Sequence, residues 1–148
     1  MKKAIIGYWA ATALVALAFG FGGIMDLLRP PQMVEQMAHL GYPAYLMTLL
    51  GAWKVLGVAA VLAPGLPRLK EWAYAGMVFD LTGAAVSHAA VGDSAGNILT
   101  PIVLLGVVFA SWALRPDSRK VGTSTRAGES VPAPAYAELA NAGSSIAR

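Results

Sequence analysis

Four ionisable side chains sit in or beside apolar stretches of this sequence, where they could do chemistry. Lys54, Asp80 and His88 lie inside apolar stretches, and Asp26 lies near the end of another. A lone charge at the centre of a bilayer costs about 2.5–3.5 kcal/mol on insertion scales, so such residues are functional candidates by default. An amine, an acid and an imidazole could together bind a polar head group or transfer a proton.

Lys54 and Asp80 are equally distant along the sequence from the turn that must join their helices. Lys54 precedes Pro67 by 13 residues, and Asp80 follows it by 13. At about 1.5 Å of rise per residue, both side chains of an antiparallel hairpin would lie near the bilayer centre. We predict that they face each other or share a polar cavity. The pair could be a structural lock between two helices or a proton-handling or ligand-binding pair, and the sequence leaves both open.

A second polar site is expected about 12 Å further along the third apolar stretch. His88 lies eight residues after Asp80, at the expected depth of Asp26 near the outer surface. An Asp26–His88 contact there, joined by His39 from the first loop, would form an outer polar site. The alternative, which we favour, is that each histidine bonds only to a backbone carbonyl or to water.

Ser87 and Trp53 complete the set of candidate ligand-binding residues. Ser87 shares a helix face with Asp80 and with small residues such as Gly83, which allow helices to approach closely in a membrane. Trp53 adjoins Lys54, where it could line a pocket or face lipid. No HExxH or comparable spacing occurs, so no metal site is predicted. The sequence identifies no catalytic residue.

Four apolar stretches position these residues and define the class of the protein. The chain of 148 residues is 57% hydrophobic and 13% charged, whereas soluble domains are about a quarter charged. About 20 apolar residues are needed to span a bilayer. We therefore predict an all-α membrane protein whose four transmembrane helices form an up-down antiparallel bundle. The predicted spans are residues 4–28, 43–63, 71–91 and 97–114.

The two ends of the chain receive different predictions. Residues 1–115 are expected to form the transmembrane domain, and residues 116–148 a disordered cytoplasmic tail, because they are rich in small and polar residues. The basic start and the sequence Ala16-Leu17-Ala18 also fit a cleaved signal peptide. The apolar continuation to Leu28 favours an uncleaved first helix.

Basic residues beside the predicted spans indicate the orientation of the chain. Only Arg29 would lie on one side of the membrane. The other side would hold Lys2, Lys3, Arg68, Lys70, Arg115, Arg119 and Lys120. Both termini are therefore predicted to be cytoplasmic. This placement also explains the net charge of +3 without a nucleic-acid partner; the expected partner is the lipid bilayer.

The sequence resembles the DoxX-like family of small integral membrane proteins over about residues 5–114. The resemblance rests on LGYP at 40–43, LGAWKVLG at 50–57, and PRLKEWAYAG, FDLTGA and SH between Pro67 and His88. It implies a four-helix protein of the bacterial inner (plasma) membrane. Related proteins are associated with a thiosulfate:quinone oxidoreductase subunit and with oxidative-stress membrane complexes. The resemblance includes Lys54, Asp80 and His88 but assigns them no role.

Three functions follow as hypotheses, and whether the protein is an enzyme stays open. The first is a subunit or accessory of a quinone-linked or oxidative-stress redox complex, with a buried polar site for a quinone head group or a lipid. Because the chain has no cysteine, redox activity would need a bound quinone, a flavin or a membrane redox partner. The second is a small-solute or proton-coupled carrier, which would require a homo-oligomer. The third is a membrane assembly protein without catalysis.

Overall fold

Helices account for nearly all of the structure, a computed structural model that describes residues 2–122. The described part contains α1 (Lys2–Leu28), α2 (Pro31–His39), α3 (Tyr45–Leu62), α4 (Pro67–Ala90), α5 (Ala95–Ala113) and a 3₁₀ turn (Asp117–Arg119). The prediction of an all-α protein is confirmed. The predicted disordered tail lies outside the described residues from position 123 onward.

Proline and glycine set the ends of the helices. Pro31 and Pro67 begin α2 and α4, where the missing N–H of proline removes no helical hydrogen bond. Gly41 and Gly92 follow the ends of α2 and α4 with φ of 82° and 76°, which glycine adopts without steric cost. Each glycine is part of a Schellman motif, in which the N–H of the residue after the glycine donates to a carbonyl oxygen in the last turn of the helix: Tyr42 to Met37, and Asp93 to His88.

The four long helices pack as a ring in which each contacts two neighbours. α1 and α4 each contact both α3 and α5. Lys54 lies near Asp80 and Gly57 near Met77, so α3 and α4 are antiparallel. Glu71 bonds to Trp112 and Tyr74 to Ser111, so α4 and α5 are antiparallel as well. Between the helices lies an apolar core formed by Val15, Phe19, Val61, Tyr74, Met77, Leu81 and Val108.

Three of the helices are long and apolar enough to cross a membrane: α1, α3 and α5. α4 has 24 residues, but it carries Arg68, Lys70, Glu71 and Asp80. Large apolar side chains such as Leu17 and Phe79 face outward, as they do in proteins surrounded by lipid. The four-span bundle therefore stays a prediction, with α4 as its untested member.

The short helix α2 lies within the predicted first loop and was not expected. None of its residues is buried, and it begins at the second proline of the pair Pro30-Pro31 that follows α1. Side-chain hydrogen bonds at its end hold this segment to the rest of the chain. His39 bonds to Asp93, and Tyr42 bonds to Ser87. The side of the bundle covered by α2 is termed the α2 side below, and the opposite side the terminal side.

Two cations, the buried Lys70 and the half-buried Arg119, close the terminal side of the bundle. Lys70 is completely buried, and its ammonium group donates to the backbone oxygens of Ala60 at 2.8 Å, Val61 at 3.1 Å and Ala63. These carbonyls belong to the end of α3, where a helix has unpaired acceptors. Arg119 donates to the Tyr8 hydroxyl at 3.1 Å and to the Val61 oxygen at 3.0 Å. The chain beyond α5 is thus tied to α1 and α3.

Candidate functional site

A close crossing of α1 and α3 positions the charged residues of the bundle. A Cβ atom added to Gly51 would lie 2.8 Å from the Gly23 oxygen and 3.0 Å from the Asp26 Cβ. A Cβ added to Gly23 would lie 2.9 Å from the Lys54 Cβ. Only glycine at both positions permits this approach, which resembles the small-residue contacts of membrane helices. The crossing therefore brings Asp26 and Lys54 side by side.

Three charged side chains from three helices meet at this crossing, and we term them the central cluster: Asp26 of α1, Lys54 of α3 and Asp80 of α4. The Lys54 Nζ donates to Asp26 Oδ2 at 2.8 Å and lies 3.7 Å from Asp80 Oδ2. The first distance is that of a strong hydrogen bond, and the second is an ion pair without one. Asp80 is therefore the least satisfied member of the cluster.

The equal sequence separation of Lys54 and Asp80 from Pro67 agrees with their contact in the structure. Both residues also line the same two cavities, which agrees with the prediction that they share a cavity. The nearer partner of Lys54 is nevertheless Asp26, which the sequence placed at the depth of His88. Whether the cluster is structural or functional stays a prediction.

Neither alternative for the histidines is observed: His88 makes no hydrogen bond to Asp26, and both histidines bond to a carboxylate rather than only to a backbone carbonyl or to water. Asp26 bonds to Lys54, and His88 bonds through Nδ1 to Asp93 Oδ2 at 2.5 Å. Asp26 meets Lys54 because the glycine crossing fixes the position of α1 against α3. Counting residues from the end of α1 does not give that position. Asp26 and His88 still line one common cavity.

An apolar groove runs from the central cluster toward the terminal side, between α3 and α4. It has a volume of about 780 Å³, within the range of about 300–1,000 Å³ that is usual for ligand sites. Trp53, Phe79 and Trp72 line it, and they are 65%, 75% and 77% exposed at the outer surface of the ring. Trp53 thus combines both alternatives that the sequence left open: it lines a pocket and faces outward. We refer to this space as the apolar groove.

A smaller polar cavity extends from the same cluster toward the α2 side. Its volume is about 320 Å³, and its walls include Ser87, His88 and Tyr42 as well as Met37 of α2. Ser87 Oγ lies 2.8 Å from the Tyr42 hydroxyl and also bonds to the Gly83 oxygen at 2.7 Å. The apolar groove and the polar cavity both reach Asp80 and Lys54, so the central cluster lies between them.

A carboxylate between two imidazoles lies at the α2 end of the polar cavity. Asp93 accepts hydrogen bonds from His88 Nδ1 at 2.5 Å and from His39 Nε2 at 2.8 Å. These bonds, with the one from His88 the stronger influence, hold the pKa of the Asp93 carboxyl below its ordinary value of 3.8. His39 is thereby connected to the second polar site through Asp93.

Asp93 is the site residue that the sequence reasoning missed, because it lies in a short predicted loop. A local signal existed. Gly92 marks the end of α4, and a Schellman motif there bonds the Asp93 N–H to the His88 oxygen at 3.0 Å. That backbone bond places the Asp93 carboxylate next to the His88 ring.

Comparison with known proteins gives a family but no close relative. No curated protein and no solved structure matched this chain. A family model described as the DoxX-like family matches residues 10–111, which contain the central cluster, both cavities and the Asp93 site. The family and the long apolar helices together identify a membrane protein that resides in a lipid bilayer. The chain belongs to the DoxX-like family.

Proposed function

We propose that this protein binds a lipid-soluble molecule with a polar head, of the quinone type, within the plasma membrane. The observation that carries the proposal is the apolar groove that ends on the central cluster. In this role the protein is a small subunit or accessory of a quinone-linked redox complex. The four-span topology with both termini in the cytoplasm belongs to the same proposal, supported by the basic residues of the terminal side.

The groove suits the apolar part of such a molecule. Its walls are aromatic and aliphatic apart from Lys54 and Asp80 at one end. Gly76 and Ala73 of α4 leave room in the wall, and a Cβ added to Gly76 would meet no atom within 4 Å. A long apolar chain could therefore enter from the surrounding lipid without passing through water.

The central cluster suits the polar head. The ammonium group of Lys54 has three N–H donors, of which Asp26 accepts one in a short hydrogen bond. The remaining donors can serve a quinone carbonyl oxygen, and the Asp80 carboxylate can accept from a quinol hydroxyl. Within residues 2–122, Asp80 makes no side-chain contact to another charged group closer than the 3.7 Å to Lys54. Because the chain lacks cysteine, electrons would come from a bound cofactor or a partner chain.

A matched pair of glycine variants tests the proposal. Gly76→Leu fills the apolar groove, whereas Gly106→Leu adds the same side chain on α5, outside both cavities, where a Cβ also meets no atom within 4 Å. Each protein is purified in its native lipid, extracted with organic solvent and analysed by mass spectrometry. We expect quinone in the wild type and in Gly106→Leu, and its loss in Gly76→Leu. Wild-type protein that yields only bulk phospholipid would overturn the proposal.

A further inference from the structure

We infer that the polar cavity is a water-filled route by which protons pass between the α2 side of the membrane and Asp80. The apolar groove then serves ligand access from lipid, and the polar cavity serves proton access from water. This inference goes beyond the proposed function: it rests on the four-span topology proposed above but does not depend on which ligand the groove takes. It concerns only the access of one intramembrane carboxylate to one side of the membrane.

The charge of the central cluster provides the first argument. Two carboxylates, Asp26 and Asp80, face one ammonium group, that of Lys54, which gives a formal charge of −1 when all three are ionised. An excess charge inside a membrane is expensive unless it meets water or another ion. One proton on a carboxylate removes that charge. Asp80 is the acceptor, because Asp26 already has a short hydrogen bond to Lys54.

The side chains that line the two cavities indicate which cavity can hold water and conduct protons. Water in a buried cavity needs polar partners, and an apolar cavity stays dry. The polar cavity offers Gln36, Ser87 and His88 in addition to the central cluster, whereas the apolar groove offers only Lys54 and Asp80 among charged groups. A volume of about 320 Å³ has room for more than one water molecule.

The spacing of the polar groups requires those water molecules. Ser87 lies seven residues after Asp80 on α4, which is about 10 Å along the helix and too far for a direct hydrogen bond. Beside Asp80, the charged or titratable groups lining this space are Asp26 from α1, Tyr42 from the loop after α2, Lys54 from α3 and His88 from α4; the described residues of α5 contribute none. The His88–Asp93 pair stands at the aqueous end.

The proposed step is a simple proton exchange. A hydronium ion at the α2 surface gives one proton, through the water in the polar cavity, to the Asp80 carboxylate and becomes water. The formal charge of the central cluster changes from −1 to 0. The reverse step returns the proton to the same side, and no electron is transferred in either direction.

The absence of cysteine makes a direct test available, since any single cysteine is the only thiol in the chain. Gly83→Cys puts a thiol in the polar cavity, and Gly76→Cys puts one in the apolar groove, seven residues away on the same face of α4. An added Cβ meets no atom within 4 Å at either position. Each variant is reconstituted in vesicles and treated from each side with a membrane-impermeant, positively charged thiol reagent. Surface variants Gln32→Cys and Arg68→Cys report which side is which.

We expect Gly83→Cys to react with the charged reagent only from the side on which Gln32→Cys reacts. Gly76→Cys should react with an apolar maleimide and not with the charged reagent from either side. The inference is overturned when Gly83→Cys is as unreactive toward the charged reagent as Gly76→Cys, or when it reacts from the Arg68→Cys side. Size-exclusion chromatography of each variant shows that it is folded.

A second measurement follows the proton itself. The infrared band of a protonated carboxyl should be present in the wild-type protein, shift in D₂O and disappear in Asp80→Asn. Gly83→Leu, which fills the polar cavity, should slow that shift, and Gly76→Leu should not. Equal rates in the two leucine variants would contradict the inference. A protein that holds no quinone but labels at Gly83→Cys would overturn the proposed function alone.

Discussion

Two lysines lie inside this bundle, and their surroundings differ in a way that separates a structural role from a functional one. Lys70, on the terminal side, is completely buried and donates to three backbone oxygens at the end of α3. Lys54, at the centre, makes one hydrogen bond to Asp26 and a longer contact with Asp80. It also borders two cavities, and Lys70 borders neither.

The comparison shows that burial of a charge does not by itself indicate function. Lys70 uses all three of its donors on fixed backbone acceptors, so it has nothing left for a ligand. Lys54 retains donors and lies beside an incompletely bonded carboxylate, with open space on both sides. Unused hydrogen-bonding capacity next to a cavity is therefore the better guide to a functional site in this protein.

The largest expected effect comes from removing the satisfied lysine. Lys70→Met leaves buried carbonyl oxygens at the end of α3 without their donor, which should cost about 3 kcal/mol of stability. Lys54→Met should lower ligand content more than Lys70→Met does, in the fraction of each variant that remains folded. Unfolding by denaturant and mass spectrometry of the extract measure the two quantities. A ligand loss as large in folded Lys70→Met as in Lys54→Met would break the distinction between the two sites.

A smaller effect distinguishes the two acids within the central cluster. Asp26→Asn weakens a short hydrogen bond to a charged group and should cost about 2 kcal/mol of stability. Asp80→Asn replaces a side chain that is neutral when it carries the inferred proton and that has no short hydrogen bond to Lys54, so it should cost less than about 1 kcal/mol, while it removes the proton acceptor. Thermal unfolding of both variants, side by side, checks the order. An Asp80→Asn variant that is less stable than Asp26→Asn would assign Asp80 to the structural lock.

The smallest effect concerns pH and the attachment of α2. The Asp93 carboxyl has a lowered pKa in the folded protein, so it contributes stability above its unfolded pKa, and that contribution is lost as pH falls below about 3.8. Protease cleavage within α2 should therefore increase below that pH. Asp93→Asn should show the higher cleavage rate already at neutral pH, with little change on acidification. Identical profiles for both proteins would show that Asp93 does not hold α2 in place.

Part of this site follows from the sequence because it depends on local geometry. A helix has a constant rise, and Pro67 marks a turn, so equal residue counts place Lys54 and Asp80 at one depth. The glycine after α4 likewise defines a helix end that sets Asp93 beside His88. Such features need no knowledge of how distant helices pack.

Other parts depend on packing between distant segments, which residue counting does not provide. Asp26 reaches Lys54 because Gly23 and Gly51 touch, and the sequence shows many glycines in apolar stretches without showing which of them meet. The segment of α2 is predicted as a loop because the helix is short. Its position depends on the hydrogen bond between His39 and Asp93, which lies 54 residues further along the chain. The membrane-crossing role of α4 is open for a related reason, since the partners of Glu71 and Asp80 are Arg115 and Lys54, which lie in other parts of the chain.

The contact between Gly23 and Gly51 also determines which distances in the protein can change. The backbones of α1 and α3 are in close contact there, so the backbone fixes the separation of Asp26 and Lys54. The gap between Lys54 and Asp80 is spanned only by side chains, beside a groove that already separates part of α3 from α4. A molecule entering that groove would lie between α3 and α4 and would change this gap more readily than the separation of Asp26 and Lys54. Occupancy of the apolar groove would then change one distance within the central cluster, that from Lys54 to Asp80.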